Sequence, residues 1–436
     1  MKNMPIVVML AAGSGTRFWP MTQPKEQFAF LGQSLLERNL HALKKAGVTS
    51  VMIVGNPTDE AYIRSLAIEG VKIQFVIQNE SHGMGDAVLS AKSQLGSHPI
   101  LVMNAEDLID HAFYTKIMSE IKNNEAFIVG RKVDRYFDGG YLVVKDNRLA
   151  GIVEKPGEKN APSNLINLVY HFFPDASVFL KTVEQTTSDR DDVYEQALAT
   201  YLSKNVVRVL EYEGSWFPLK YPWHVLDIMD ELLKDVQSHQ GKNVTIKNNV
   251  TIEGNVWIGD NVKIFENSKI TGPCFIGDNS IIGNNSMIRE SVLGDGCITG
   301  FNTDITRSYI GNNCWFHTNY VGDSVFEGNI SMGSGAKTAN LRLDEGDIFS
   351  VVKGKKLDTG RVKLGAMVGK DVRIGVNASI MPGIKIGAHS FVGSGVILDN
   401  DLPDGSFCTA KAASYEVKKN LRSVDMQSRE KFKKAL

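Results

Sequence analysis

One isoleucine every six residues constrains this chain more than any other feature. Ile246, Ile252, Ile258, Ile264, Ile270, Ile276, Ile282 and Ile288 follow one another at that spacing, with Val244, Val250, Val256 and Val262 two positions ahead of the first four. The phase slips near Leu293 and Ile298, and a second register runs through Ile374, Ile380, Ile386, Val392 and Leu398. A period of six suits neither an amphipathic helix nor a heptad seam. It suits a parallel β-helix, in which each hexad is one short face of a triangular coil and its aliphatic side chain points at the axis. The Asn and Gly residues between the isoleucines suit corners, where a positive φ is needed. The less regular stretch 337–364 between the registers reads as a protruding loop, and Lys411–Leu436, rich in Lys and Arg, reads as a terminal helix.

The preceding residues have another grammar. Apolar runs at Pro5–Leu10, Ser50–Val54, Ile73–Ile77, Ile100–Met103 and Ala126–Gly130 alternate with helical patterns at Ser34–Ala46, Asp59–Leu66, Gly85–Leu95 and Phe113–Asn123. Such alternation predicts βαβ units and a mainly parallel sheet covered on both faces. Further helices are predicted at Asp192–Ser203 and Pro222–His239. A chain of 436 residues accommodates two or three domains. The reading here is residues 1–238, then a solenoid over 243–410, then the terminal helix over 411–436.

Composition narrows the function classes. Lys plus Arg number 48 and Asp plus Glu 49, a net charge of −1, so there is no electrostatic case for nucleic acid or an anionic membrane as partner. Cys274, Cys297, Cys314 and Cys408 form no CxxC pair, which argues against zinc and for small buried side chains. The N-terminal apolar run is short and passes straight into glycines, unlike a signal peptide. A cytoplasmic protein is expected.

The run Leu10-Ala-Ala-Gly-Ser-Gly-Thr-Arg17 follows a predicted strand. Backbone amides in such a turn can cradle a pyrophosphate, and Arg17 and Lys25 supply charge beside it. Phe18 stands where a dinucleotide fingerprint needs its third glycine, and no Gly-Lys-Ser/Thr follows as in a Walker loop. The constellation Gly13-Ser-Gly-Thr-Arg17-Phe-Trp-Pro20 with Pro24-Lys25 resembles the signature of sugar-1-phosphate nucleotidylyltransferases. Gln78-Asn-Glu-Ser-His-Gly83-Met-Gly-Asp-Ala87 resembles the base-reading loop of uridylyl and thymidylyl members. Gly139-Gly140-Tyr141, Ile152-Val-Glu154-Lys155-Pro156 and Ser163-Asn-Leu-Ile-Asn167 resemble the sugar-phosphate segments, and Tyr221-Pro-Trp-His-Val-Leu226 resembles the helix start near the metal.

The resemblance implies in-line displacement at the α-phosphorus of a nucleoside triphosphate, without a covalent enzyme intermediate. Leu10, Ala11, Ala12, Gly13, Ser14, Gly15, Thr16, Gln78 and Gly83 would bind nucleotide, and Arg17 and Lys25 would serve the reacting phosphates. Lys155 would hold the attacking phosphate, while Gly140, Glu154 and Asn167 would form the sugar pocket. Gln78 carries both a donor and an acceptor for the edge of a pyrimidine. Mg²⁺ would take Glu106 or Asp107; Pro218 stands in Trp216-Phe-Pro218 where the family's second aspartate follows a tryptophan, with Asp227 one possible substitute.

In the solenoid, Phe316-His317-Thr-Asn-Tyr320-Val-Gly-Asp323 and Gly333-Ser-Gly335-Ala-Lys-Thr-Ala-Asn340 resemble segments of enzymes that fuse a uridylyltransferase to glucosamine-1-phosphate N-acetyltransferase. The resemblance implies that His317 is the general base on the amine, Tyr320 and Asn340 lie at the acetyl-transfer site, and acetyl-CoA is the co-substrate. Leu341 replaces a tyrosine expected there, and Arg307 is the candidate phosphate clamp. The stretch Asp358-Thr-Gly-Arg361-Val-Lys363-Leu-Gly365 with Val376–Gly383 is similar to archaeal-type members.

The fold expected is therefore an α/β Rossmann-like nucleotidyltransferase domain, a left-handed parallel β-helix and a C-terminal helix. UTP and N-acetylglucosamine 1-phosphate are the favoured substrates, and a homotrimer or dimer of trimers the expected assembly. Thymidylyl, adenylyl or guanylyl transfer to glucose or mannose 1-phosphate over a purely structural solenoid remains open. So does a non-catalytic subunit that binds sugar nucleotides.

Overall fold

The computed structural model describes residues 4–79, 82–146, 148–189 and 192–410. The helix expected over 411–436 lies outside them. By internal packing the chain divides into two bodies. The first takes residues up to Ser14 together with Ser34–Pro218; the second takes Gly15–Gln33 together with the residues from Leu219 onward.

The first body is built on a nine-stranded sheet. Across it the strands run Lys72–Ile77, Ser50–Gly55, Ile6–Leu10, Ile100–Asn104, Leu165–Phe173, Phe127–Lys132, Arg208–Glu211, Arg148–Glu154 and Gly140–Lys145. Ile6–Leu10 is apolar throughout because both its faces are covered. Val7 and Met9 pack with Val51, Ile53, Leu101 and Met103 on one side, and Val8 and Leu10 with Met52, Val54, Ile100 and Val102 on the other. Helix Leu35–Lys45 starts at a capping box, in which the Ser34 hydroxyl accepts from Glu37 N and the Glu37 carboxylate from Ser34 N.

The sheet is mixed rather than mainly parallel. The strands up to Ile100–Asn104 pair in parallel, but Leu165–Phe173 runs antiparallel to both of its main neighbours, and Gly140–Lys145 and Arg148–Glu154 form a hairpin. A hairpin joined at Lys145 and Arg148 admits only antiparallel pairing. The sequence reading assigned no strand between Gly130 and Asp192, so it missed this half of the sheet and helix Ala176–Glu184 as well.

The second body is a solenoid of three parallel sheets with eight, nine and eight strands. The inward isoleucines stack on one another: Ile246 on Ile264, Ile252 on Ile270 and Ile258 on Ile276. One coil is therefore three hexads. Asn243, Asn261 and Asn279 sit at positive φ on one corner, each amide donating to the next, 3.1 Å away and 18 residues on. The phase slip has a simple cause. The next coil is one residue shorter, so Ile276 stacks on Leu293 and Ile282 on Thr299, and Thr299 rather than Ile298 faces the axis. Cys274, Cys297 and Cys314 are buried free thiols in this core.

Two further corrections concern the second body. The helix predicted over Pro222–His239 is His224–Leu233, and His239–Gln240 is already the first solenoid strand, paired with Trp257–Ile258. The irregular stretch is a β-hairpin, Ile348–Val352 with Lys355–Arg361. Among the described residues no helix is long and apolar enough to cross a membrane.

Candidate functional sites

In the first body, strand Ile6–Leu10 lies between Ser50–Gly55 and Ile100–Asn104, all three parallel. The chain reverses its strand order here, and ligands of open α/β sheets bind beyond the carboxyl ends at such a point. Leu10, Ala11 and Ala12 are buried there, tied in place by Ala11 N donating to Val54 O at 2.8 Å and Ala105 N to Leu10 O at 3.1 Å. Gly13 and Ser14 are exposed.

Gln78 follows strand Lys72–Ile77, which pairs with Ser50–Gly55, and is buried. Its Nε2 donates to Asp86 Oδ2 at 2.7 Å and to the Gly83 carbonyl at 3.3 Å. Both partners can only accept, so the amide orientation is fixed. Oε1 is left as the atom that can accept from a base. The sequence reading gave Gln78 both roles; Asp86, on the helix that starts at Gly83, takes the donors.

Three of the expected sugar residues come together. Gly140 and Glu154 are paired across the hairpin. A side chain at 140 would stand 3.0 Å from Glu154 Oε2 and 3.6 Å from Asn167 Cβ, so only glycine leaves that space open. Lys155 is beside them with Nζ 3.2 Å from Glu154 Oε1, and has φ +43°. Asn167 Oδ1 lies 2.9 Å from His171 Nε2, and His171 Nδ1 lies 2.8 Å from the Tyr194 hydroxyl. Burial pushes the His171 imidazole down to about 3, so it is neutral. A neutral ring donating from Nε2 and accepting at Nδ1 satisfies both bonds, and Asn167 Oδ1 is the atom His171 engages. His171 was missed, although it stands four residues after Asn167 on one strand and so on the same face.

Glu106 and Asp107 diverge in role. Asp107 is buried and its Oδ2 accepts from Trp216 Nε1 at 3.0 Å, in a two-stranded ribbon that places Pro218 opposite Asp107. The tryptophan of the motif thus holds the carboxylate that precedes it in the chain. Asn39 Nδ2 donates to the carbonyls of Ala105 and Asp107 at 2.9 and 3.1 Å, bracketing Glu106, and Tyr114 fixes Asn39 Oδ1 at 2.8 Å. Glu106 is half-buried. A phosphate-bound Mg²⁺ needs only one or two protein carboxylates, because the phosphates and water complete its shell. The donor set fits that mode through Glu106. Among the described residues there is no group of three or more His, Cys, Asp or Glu that could hold a metal alone. Asp227 belongs to the second body, where its Oδ1 meets Arg361 Nη2 at 2.5 Å.

The second body holds Gly15, Thr16, Arg17 and Lys25. Gly15 has φ +62°, which a side chain would strain, and Thr16 and Arg17 are exposed. Lys25 opens a short 3-10 turn, Lys25–Gln27.

In the solenoid, Tyr320, Asp323 and Asn340 form one network. Asn340 Nδ2 donates to the Tyr320 hydroxyl at 3.1 Å and to Asp323 Oδ2 at 2.5 Å. Asn340 Oδ1 is left as an acceptor. Arg307 grips Asp323 with two bonds of 2.7 and 2.8 Å, which makes it a brace for this network more than a phosphate clamp. His317 is exposed, three residues before Tyr320 on the corner of the same coil. Its turn is set by Asn319, whose buried amide donates to the Gly333 and Ala336 carbonyls at 2.9 and 2.8 Å. A groove of about 440 Å³ opens here, lined by Asp304, Thr318, Asn319, Tyr320 and Lys337 among others.

Residues 6–217 match the family described as nucleotidyl transferase. Residues 273–307 match the hexapeptide repeat of succinyl-transferase, and 365–400 the bacterial transferase hexapeptide. The chain is 34% identical over 416 residues to a bifunctional sugar-1-phosphate nucleotidylyltransferase/acetyltransferase of Sulfurisphaera tokodaii, covering 92% of this chain and 98% of that one. It is 33% identical over 414 residues to the bifunctional protein GlmU of Methanococcus aeolicus, covering 93% and 97%. Among solved structures, a UDP-glucose pyrophosphorylase from Acinetobacter baumannii is similar at 21% identity and a TM-score of 0.47, covering 53% of this chain and 95% of that one.

Proposed function

This chain belongs to the family of bifunctional sugar-1-phosphate nucleotidylyltransferase/acetyltransferases, and on that premise we propose that it makes UDP-N-acetylglucosamine from UTP and the sugar 1-phosphate, and that its solenoid acetylates glucosamine 1-phosphate with acetyl-CoA. The observation that carries the base assignment is Gln78 with both amide hydrogens engaged by Asp86 and Gly83. Its remaining oxygen accepts from the N3–H that uracil shares with thymine and meets a lone pair at N3 of cytosine.

In the first reaction a phosphate oxygen of the sugar phosphate attacks the α-phosphorus, the bond to the bridging oxygen breaks, and pyrophosphate leaves with the electron pair. Arg17 and Lys25 balance charge on the α-phosphate and the departing pyrophosphate. Lys155 orients the attacking phosphate. Glu154 accepts from sugar hydroxyls and Asn167, held by His171, donates to them. Glu106 would hold Mg²⁺, which when bound supplies charge neutralisation on the phosphates.

In the second reaction the amine of glucosamine 1-phosphate attacks the thioester carbonyl, His317 takes the proton the nitrogen loses, and the thiolate of CoA leaves. Asn340 Oδ1 accepts from the attacking amine, and the Tyr320 hydroxyl has its own hydrogen to donate. The exposed rings of Phe391 and Phe407 and the exposed side chain of Ile397 support assembly of the solenoid into a homotrimer.

The test is pyrophosphate release by the full chain with each nucleoside triphosphate against glucose, N-acetylglucosamine and glucosamine 1-phosphates. UTP with a hexosamine phosphate should be preferred. Asp86→Asn frees the Gln78 amide to turn over and should cut the UTP-over-CTP preference about tenfold. A preference for another triphosphate in the parent chain would refute the base assignment.

A further inference from the structure

The segment that carries Arg17 and Lys25 is fastened within the second body by side chains of the solenoid. Glu327, 305 residues beyond Thr22, accepts three bonds at one oxygen: from Thr22 N at 2.9 Å, Thr22 Oγ1 at 2.7 Å and Gln23 N at 2.8 Å. Its other oxygen accepts from Lys370 N at 2.9 Å, which fixes the carboxylate to the next coil. Asp404 accepts from Trp19 Nε1 at 3.1 and 3.2 Å while also taking Ala388 N at 2.8 Å. The Tyr309 hydroxyl donates to Ala29 O at 2.7 Å, and its ring packs against Phe28 at 5.0 Å and Phe30 at 5.6 Å. Gly369 lies so close that a side chain there would come within 2.5 Å of the Pro20 carbonyl.

We infer that Glu327 is a positioning residue for nucleotidyl transfer, supplied by the solenoid. A carboxylate taking three donors from two adjacent residues holds the backbone at 22 and 23 in one arrangement, and Lys25 starts the very next turn. Charge-assisted bonds of this kind are about twice as strong as neutral ones. The transferred nucleotidyl group needs its cations placed to a fraction of an ångström, and a displacement of about 1 Å costs on the order of a hundredfold in rate. The half of the chain with acetyl-transfer residues therefore also sets the reactivity of the other reaction. The inference rests on the proposed role of Lys25 in that reaction.

The experiment measures pyrophosphate release and CoA release by the full-length chain, with thermal unfolding alongside. Glu327→Ala should lower nucleotidyl kcat about a hundredfold, with KM for the sugar phosphate within about twofold. Acetyl transfer should stay as in the parent chain, and the unfolding midpoint, though lowered by the lost bonds, should stay above the assay temperature. Glu327→Gln keeps an acceptor for the Thr22 and Gln23 donors and should recover to within about tenfold. Adding Lys25→Ala to Glu327→Ala should make transfer no slower than Lys25→Ala alone, because the two act as one unit. Parent-like turnover of Glu327→Ala alongside a silent Lys25→Ala would overturn the inference. Equal loss of both activities in Glu327→Ala would also overturn it, by assigning Glu327 to solenoid stability. Full activity in Lys25→Ala would instead overturn the proposed role of Lys25.

Discussion

The mixed sheet and the solenoid reverse each other in what their sequences disclose. In the solenoid every inward residue repeats its neighbour's environment one coil away, so a six-residue pattern specifies the fold coil by coil. Its site, however, comes from residues a whole coil apart: Arg307 meets Asp323 at a separation of 16, and Asp323 meets Asn340 at 17. In the sheet the site residues travel in short contiguous motifs, while the pairing of strands depends on contacts across most of the body. Local repetition specifies backbone; contiguous motifs specify chemistry; neither carries the other.

The largest test of that contrast is a reciprocal pair. Lys25→Ala should cost nucleotidyl transfer about a thousandfold and leave acetyl transfer intact, since the loss of a charge-stabilising group falls on one transition state. His317→Ala should cost acetyl transfer about a thousandfold and leave pyrophosphate release unchanged, the usual scale for a missing general base. Rates of both reactions on both variants decide it. If either substitution lowers the two rates together, the sites are not chemically separate.

Legibility failed for physical reasons that differ by region. The mainly parallel reading of the sheet came from strands alternating with helices, a pattern that holds up to Phe127–Lys132 and not in the half beyond it. Leu165–Phe173 carries Asn167 and His171 among its apolar residues, which hides it as a strand, and the hairpin before it reverses the direction. The helix predicted to reach His239 failed because the solenoid's first strand has two residues and no pattern of its own. Glu106 and Asp107 are adjacent in sequence and equally acidic. What separates them is the Trp216 indole, which arrives from 109 residues away. Arg307, Asp323 and Asn340 were legible one by one; what joins them into a network is their coil-length spacing, the same period that stacks the isoleucines.

A smaller effect comes from His171, where packing and chemistry of the sheet meet. The folded state holds the imidazole neutral down to about pH 3, whereas the unfolded chain protonates near pH 6.5. Its share of stability is therefore complete above about pH 6.5 and is lost as pH falls toward 3, because the unfolded state binds the extra proton. His171→Phe removes that acid-labile share, so its unfolding midpoint should fall less steeply than the parent's between pH 6.5 and 4. The same variant frees Asn167 and should lower nucleotidyl kcat/KM about tenfold at pH 7.5. Unchanged turnover would detach Asn167 from sugar binding, and an unchanged acid slope would detach His171 from acid lability.

The smallest effect lies in the one hairpin that interrupts the solenoid's repetition. Arg361, at its end, reaches Asp227 at 2.5 Å and Asp230 at 4.0 Å on helix His224–Leu233. Burial pushes the Asp230 carboxyl up to about 6; Arg361 opposes this, and Asp227, Asp323 and Glu290 add to it. The folded chain thus keeps a proton that the unfolded chain gives up near pH 4, and this share of stability falls as pH rises from about 4 to 6. The side chain keeps 54% of its exposure, so solvent screens much of the penalty and its size stays under about 1 kcal/mol. Asp230→Asn should raise the unfolding midpoint slightly at pH 7.5 and leave it unchanged at pH 4. A drop at pH 7.5 would mean that the attraction to Arg361 outweighs burial, and that the hairpin is held by both aspartates rather than by Asp227.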